Sequence, residues 1–201
     1  CIRDRLLHRD AEAFLSVLDE VFEGDLFADQ DDAGAALPTR RGIVDVMLAL
    51  CSGEALLPDE LVFVAIFVAR NAPKYPQFLA LEEGEVELLF DTLTRLAGSG
   101  DSSTVDAEFA LECLLSAHPV AYTSARLEAL RGAQFWRVLE LALRKTRRWD
   151  ALLALVLQDT TQAHAQAPGV LAERLVDALS TALRDRGADR GALFQTLRAH
   201  L

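Results

Sequence analysis

Four histidines, three cysteines and one glycine-rich loop are the residues of this chain best suited to hold a metal, attack a substrate or cradle a phosphate. His8, His118, His164 and His200 are scattered at intervals that fit neither a His-Glu-x-x-His metal helix nor a nucleophile triad, and no Gly-x-Ser-x-Gly occurs. Cys1, Cys51 and Cys113 are odd in number, widely spaced and without a Cys-x-x-Cys pair. They predict neither a disulfide framework nor a zinc site, and they fit a reducing, cytosolic setting. Gly98-Ser99-Gly100-Asp101-Ser102-Ser103 reads as a loop, but it lacks the Gly-Lys-Ser/Thr ending of a phosphate cradle. The expectation is a chain that is not an enzyme and carries neither cofactor nor metal.

The remaining cluster is basic. Arg144, Lys145, Arg147 and Arg148 crowd five positions at the end of one helix and the turn after it. Cations there complement the negative end of a helix dipole for about 0.3–1 kcal/mol each, so a purely local role accounts for them. The same cluster is also a candidate surface for docking an acidic partner. Glu140 and Arg144, four residues apart, predict a salt bridge along one helix.

These residues sit between two amphipathic helices that each carry a tryptophan. In the run from Ala133 to Arg144, Phe135, Val138, Leu139 and Ala142 follow helical spacing, and Trp136 and Leu143 widen the apolar face. Arg137, Glu140 and Arg144 form the wet stripe. In the run from Trp149, Leu152, Leu153 and Val156 repeat the spacing, which predicts a packing role for Trp149. Helices apolar over more than one face cannot bury themselves as an isolated pair and must stack on neighbours. The predicted fold is therefore all-α, an α-solenoid of stacked antiparallel helix pairs with about ten helices and no convincing strand.

The rest of the chain agrees. A first helix runs from Asp10 as N-cap through Phe14, Leu15, Leu18, Val21 and Phe22 to Gly24. Residues 25–38, with Asp25, Asp29, Asp31 and Asp32, read as an acidic mobile loop. Thr39 caps a second helix whose stripe is Ile43, Val44, Met47, Leu48 and Cys51. The run Leu61 to Ala69 alternates like a buried strand at Val62, Val64, Ile66 and Val68, yet its flanks predict a helix. Pro58 suits a first turn, Asp59 and Glu60 complement its dipole, and Asn71 before Pro73 ends it. Such a helix is apolar all round and sits inside the stack. After Lys74-Tyr75-Pro76 and a short turn at Phe78 to Leu81, a helix uses Val86, Leu89, Phe90, Leu93 and Leu96, with Glu82, Glu83 and Glu85 near its start. Phe109, Leu111, Leu114 and Leu115 mark the next, which ends near His118-Pro119. Ser124 opens a short helix with Leu127 and Leu130. Beyond Pro168, Leu171, Leu175, Leu179, Ala182 and Leu183 form a stripe closed by Gly187, and Asp189 begins a last helix with Leu193, Phe194, Leu197 and Leu201.

The 201 residues, 51% hydrophobic, suffice for a continuous core, and residues 1–201 are expected to form one solenoid segment. A start at Cys1 fits a processed chain or an excised fragment of a larger protein. The longest apolar stretch, Leu61 to Ala69, is about half of the ~18 residues that suggest a membrane span. Net charge is −11, and residues 1–100 hold 8 basic against 19 acidic side chains while residues 101–201 hold 12 of each. That field disfavours nucleic acid and anionic lipid surfaces and favours a protein partner.

Several segments together resemble a known family. They are Phe14-Leu15 with Leu18 and Phe22-Glu23, Arg40-Arg41-Gly42-Ile43-Val44-Asp45, and Ile66-Phe67-Val68-Ala69-Arg70 before Tyr75-Pro76. Phe109 to Leu115, Arg126 to Glu140, and Trp149-Asp150 to Gln158-Asp159 continue the series. Over roughly Asp10 to Asp159 the chain resembles the helical middle region of the vacuolar protein sorting-associated protein 8 family, subunits of the CORVET endosomal tethering complex. Ala133 to Asp159 alone is also similar to helical hairpins of clathrin heavy chain and of other vacuolar sorting subunits. The family's β-propeller and RING are absent from these residues. The resemblance implies a non-catalytic scaffold segment that works with other vacuolar protein sorting subunits and, through its parent protein, with an endosomal Rab GTPase. It implies a cytoplasmic location, peripheral on endosomal membranes, with no direct membrane insertion. The alternatives are a helical regulator of a small GTPase, by GTPase activation or nucleotide exchange, and a different trafficking or coat solenoid.

Trp149 gives a direct test of the helical stripes. Truncation to Ala should cost about 3–5 kcal/mol in chemical denaturation, as removal of a buried indole does; an unchanged midpoint would place the ring at the surface.

Overall fold

The computed structural model of the chain describes residues 11–23, 39–53, 56–76, 79–96, 102–158 and 168–200. Ten α-helices are found there and no strand, as expected of an all-α helical-repeat fold. In chain order they are α1 Ala11–Glu23, α2 Arg40–Ser52, α3 Pro58–Asn71, α4 Glu83–Leu96, α5 Ser102–Ala117, α6 Ser124–Gly132, α7 Trp136–Lys145, α8 Trp149–Gln158, α9 Pro168–Arg184 and α10 Arg190–His200. A 3-10 turn, Ala72–Lys74, follows α3. The acidic segment 25–38, the end residues Asp10 and Gly24, Phe78, residues 98–101 and Leu201 lie outside the described residues, as do His8, His164, Cys1 and the side chains of Phe14, Leu15, Val21, Leu96 and Leu171.

Backbone contacts divide the chain into two compact units, residues 1–135 and 136–201. In the first, α3 is the centre, with α1, α2, α4 and α5 all packed on it. Its alternating sequence nonetheless folds as a helix because both ends specify one. Pro58 occupies the first turn, the Glu60 carboxylate accepts the Leu57 N–H at 2.8 Å, and Asn71 Nδ2 donates to the Phe67 carbonyl at 3.0 Å. Val64, Ala65, Val68 and Ala69 are fully buried, and Val62, Ile66 and Phe67 nearly so. Each large apolar side chain buried this way contributes about 1.5–3 kcal/mol, against about 1–2 kcal/mol per residue of backbone ordering. A short helix covered on every side gains on that exchange; one covered on a single face would not.

Arginine clamps fix the helices around α3. Arg40 donates to the Phe22 carbonyl at 3.0 Å and lies over the rings of Phe22 and Tyr75 at 5.9 and 5.2 Å. Phe22 in turn meets Phe67 and Tyr75 edge-on, each at 5.5 Å. Arg41 reaches Glu85 at 2.6 Å, Asp45 at 2.7 Å and the Ala80 carbonyl at 2.7 Å, tying α2 to the start of α4. Arg126 at the start of α6 bonds Glu87 and the Ala121 carbonyl and covers the Phe90 ring at 5.7 Å. Glu85 also accepts the Glu82 N–H at 2.8 Å, so it serves both as a helix-end ligand and as an inter-helix anchor.

In the second unit α8 takes the central place, and α7, α9 and α10 each pack on it. Trp149, Leu152, Leu153, Leu155 and Val156 are buried.

Phe109 lies in α5 as expected and is 46% exposed, the buried residues of that helix being Ala107, Ala110, Leu111, Leu114 and Leu115. Three expectations are corrected. Leu183 and Phe194 are 51% and 68% exposed; among the described side chains, Ala178 and Ala182 are the buried ones of α9, and Leu193 that of α10. Ser102 and Ser103 open α5 rather than ending a loop. Ala133, Gln134 and Phe135 form a turn ahead of α7, since Gln134 takes φ 60°.

That turn and the one after α7 share one construction. Gln134 and Arg147 both adopt left-handed backbone, with φ 60° and 56°. Around the first, the Phe135 N–H reaches the Leu130 carbonyl at 3.0 Å and the Gln134 N–H the Arg131 carbonyl at 3.1 Å; around the second, Arg148 reaches Leu143 at 3.0 Å and Arg147 reaches Arg144 at 3.2 Å. Both are Schellman motifs with a side chain at the position glycine favours. Gln134→Gly should therefore stabilise the chain by about 0.5–1 kcal/mol in urea denaturation, and Gln134→Val should destabilise it. A β-branched residue tolerated there without loss would contradict the left-handed turn.

Candidate functional site

The four basic residues at the end of α7 do not share one fate. Arg144 is turned inward: its Nη2 bonds Glu140 Oε1 at 2.9 Å and Asp177 Oδ2 at 2.8 Å, and Arg174 bonds the other Glu140 oxygen at 2.9 Å. Burial of the Arg144 guanidinium opposes its charge, but the bonds from Glu140 and Asp177 outweigh that and hold its pKa above the usual arginine value. The expected Glu140–Arg144 pair is thus present. It belongs to a chain of four charges joining α7 to α9, not to a wet stripe.

Lys145, Arg147 and Arg148 face solvent. Arg147 is 73% exposed and makes a long ion pair, 3.6 Å, to Asp185 at the end of α9. Lys145 and Arg148 make no ion pair among the described residues.

Asp185 is the junction of this edge. Its Oδ2 accepts the Trp149 indole N–H at 2.8 Å, and its Oδ1 accepts the Gly187 N–H at 3.0 Å. Trp149, at the first position of α8 and 8% exposed, is therefore both packed and hydrogen-bonded. The pairs Glu140 with Arg174, Arg144 with Asp177 and Arg147 with Asp185 advance together along both helices, so α7 and α9 run in the same direction. Their following turns then lie on one edge of the unit. Arg184 and Arg186 flank Asp185 there, both exposed. Sequence reasoning missed these two. Their signal was the string Arg184-Asp185-Arg186-Gly187 at a helix end, the same kind of place as Arg144 to Arg148.

Other features of the described residues are less organised. A shallow hollow of about 500 Å³ follows the outer face of α9 past Val176, Ser180 and Arg184. Another of about 260 Å³ lies between α1, α3 and α5, near Asp19, Arg70 and Asp106. No three His, Cys, Asp or Glu side chains gather closely enough to hold a metal ion among the described residues. Burial pushes the Cys51 thiol up to about 12, which keeps it protonated as a small apolar side chain. No described helix is long and apolar enough to cross a membrane.

No protein-family model matches the chain. Its sequence is similar to that of vacuolar protein sorting-associated protein 8 of Saccharomyces cerevisiae, with 29% identity over 160 residues. The match covers 76% of this chain and only 12% of the yeast protein. The chain is thus related over most of its length to a small part of a much larger protein.

The Asp185 junction makes a pH prediction. Bonds from the Gly187 N–H and the Trp149 indole, with the Arg147 charge, hold its carboxyl below the usual carboxylate range against the opposing effect of burial. A carboxyl lowered by folding binds fewer protons in the folded chain than in the unfolded one. Its contribution is complete above the unfolded value of about 3.9 and is lost as pH falls through the folded value. Asp185→Asn keeps an acceptor for the indole but has no proton to gain. In denaturation at pH 7 down to pH 3, the variant should lose less stability on acidification than the parent; parallel losses would contradict the assignment.

Proposed function

We propose that this chain is a non-catalytic scaffold segment of an endosomal membrane-tethering complex of the CORVET kind, acting in vesicle fusion and endosome-to-vacuole protein transport. The observation that carries the reading is the similarity to yeast vacuolar protein sorting-associated protein 8 across 76% of the chain. The all-helical fold supports it, because helices that complete their cores only by stacking on neighbours build stiff modules whose outer edges are left for partners. In this reading the chain works in the cytoplasm, peripheral to endosomal membranes, beside other vacuolar protein sorting subunits. The endosomal Rab GTPase is engaged through the parent protein, elsewhere than here.

Affinity capture of the tagged 201-residue chain from cytosol, with the retained proteins identified by mass spectrometry, tests the reading. Enrichment of vacuolar sorting subunits over a tag-only control is the expected result; enrichment of coat subunits alone, or of nothing, would overturn it. Single-turnover GTP hydrolysis by endosomal Rab proteins should be unchanged by the chain. A GTPase-activating protein would raise it by orders of magnitude, which would replace the scaffold reading with a regulatory one.

A further inference from the structure

We propose that the edge formed by the α7–α8 and α9–α10 turns is a docking surface for an acidic segment of a partner protein, a short run of Asp and Glu side chains. The proposal does not rest on the tethering reading and stands or falls separately from it.

The two turns come from positions nearly forty residues apart in sequence and are joined at one carboxylate. Asp185 takes the indole N–H of Trp149 at 2.8 Å from one turn and the Gly187 N–H at 3.0 Å from its own, while Arg147 leans on it at 3.6 Å. Around that fixed point Lys145, Arg147, Arg148, Arg184 and Arg186 are all exposed. The nearby carboxylates offset them only in part. Asp177 is paired with Arg144 at 2.8 Å, which leaves Asp150, Asp185 and Asp189 against these five cations; Asp189 also caps α10 through the N–H groups of Gly191 and Ala192 at 2.8 and 3.1 Å. A chain of net charge −11 therefore presents a local cationic edge built from two converging turns.

The local dipole role already described fits Lys145 but not this convergence. A helix end gains little from cations on a different helix, and Arg147 and Arg148 lie beyond the last turn of α7. Guanidinium groups present paired donors that match carboxylates two at a time. The choice among anions follows from scale. A flat anionic membrane or a long duplex meets the field of the whole chain, which is negative. A short acidic peptide meets only the charges within about one Debye length, roughly 8 Å at physiological salt, and there the balance is positive.

Fluorescence anisotropy with a labelled ten-residue poly-glutamate peptide tests this on the full 201-residue chain at physiological salt, where that screening holds. The parent chain should bind, and Arg148→Glu with Arg186→Glu should weaken binding at least tenfold while the melting temperature stays within a degree or two. Arg198→Glu, at an exposed position two turns along α10 from that edge, should leave binding unchanged. No binding by the parent chain, an equal loss with Arg198→Glu, or full retention in the double variant would overturn the proposal. So would tighter binding to phosphatidylserine vesicles or to a duplex DNA of matched charge, which would assign the edge to lipid or nucleic acid instead. Should the double variant unfold, Arg148→Gln with Arg186→Gln carries the test, with a loss of at least threefold expected and no loss overturning it.

Discussion

A helix apolar on every side cannot exist in water unless every side is covered, and each unit of this chain is organised by one such helix. In the first unit it is α3, whose residues from Val62 to Ala69 meet α1, α2, α4 and α5. In the second it is α8, covered by α7, α9 and α10. Both are short, 14 and 10 residues, and helices of that length are marginal alone. Their order is tertiary in origin. The surrounding helices then need only one apolar face each, which leaves their outer faces and connecting turns open to charge.

Arginine completes what apolar burial leaves unspecified. Burial is non-directional and would tolerate a helix rotated or shifted along its neighbour. Arg40, Arg41 and Arg126 remove that freedom in the first unit by bonding a neighbouring element, and Arg40 and Arg126 also lie over aromatic rings. In the second unit the Arg174–Glu140–Arg144–Asp177 series sets α7 beside α9 with matching direction. Part-buried pairs of this kind hold geometry more than they add net stability. The consequence for function is the basic edge, because helices that run the same way bring their following turns together.

Most of the fold was legible in the sequence, since hydrophobic period and end residues are local signals. Thr39 and Asp189 cap where their side chains predict, and Pro58 and Asn71 bracket α3 despite its strand-like alternation. What failed was any judgement needing to know which side of an apolar helix meets a neighbour. Phe109, Leu183 and Phe194 fit a helical period, yet the buried positions beside them are Ala110, Ala182 and Leu193. The turn at Gln134 was hidden because a glutamine stands where glycine would have announced it. At the basic edge, Arg144 was grouped with its sequence neighbours although its partner Asp177 lies on another helix. Arg184 and Arg186 were passed over for the same reason: sequence distance conceals two turns that meet at one carboxylate.

The central claim, that α3 and α8 are the covered cores on which the other helices depend, is tested most directly by native-state hydrogen exchange read by NMR or mass spectrometry. Amides from Val64 to Ala69 and from Leu152 to Val156 should be the slowest in their respective units, opening only with global unfolding of that unit. Peripheral α2 and α10 should exchange faster. Protection of α2 or α10 equal to or greater than that of the two inner helices would contradict the account.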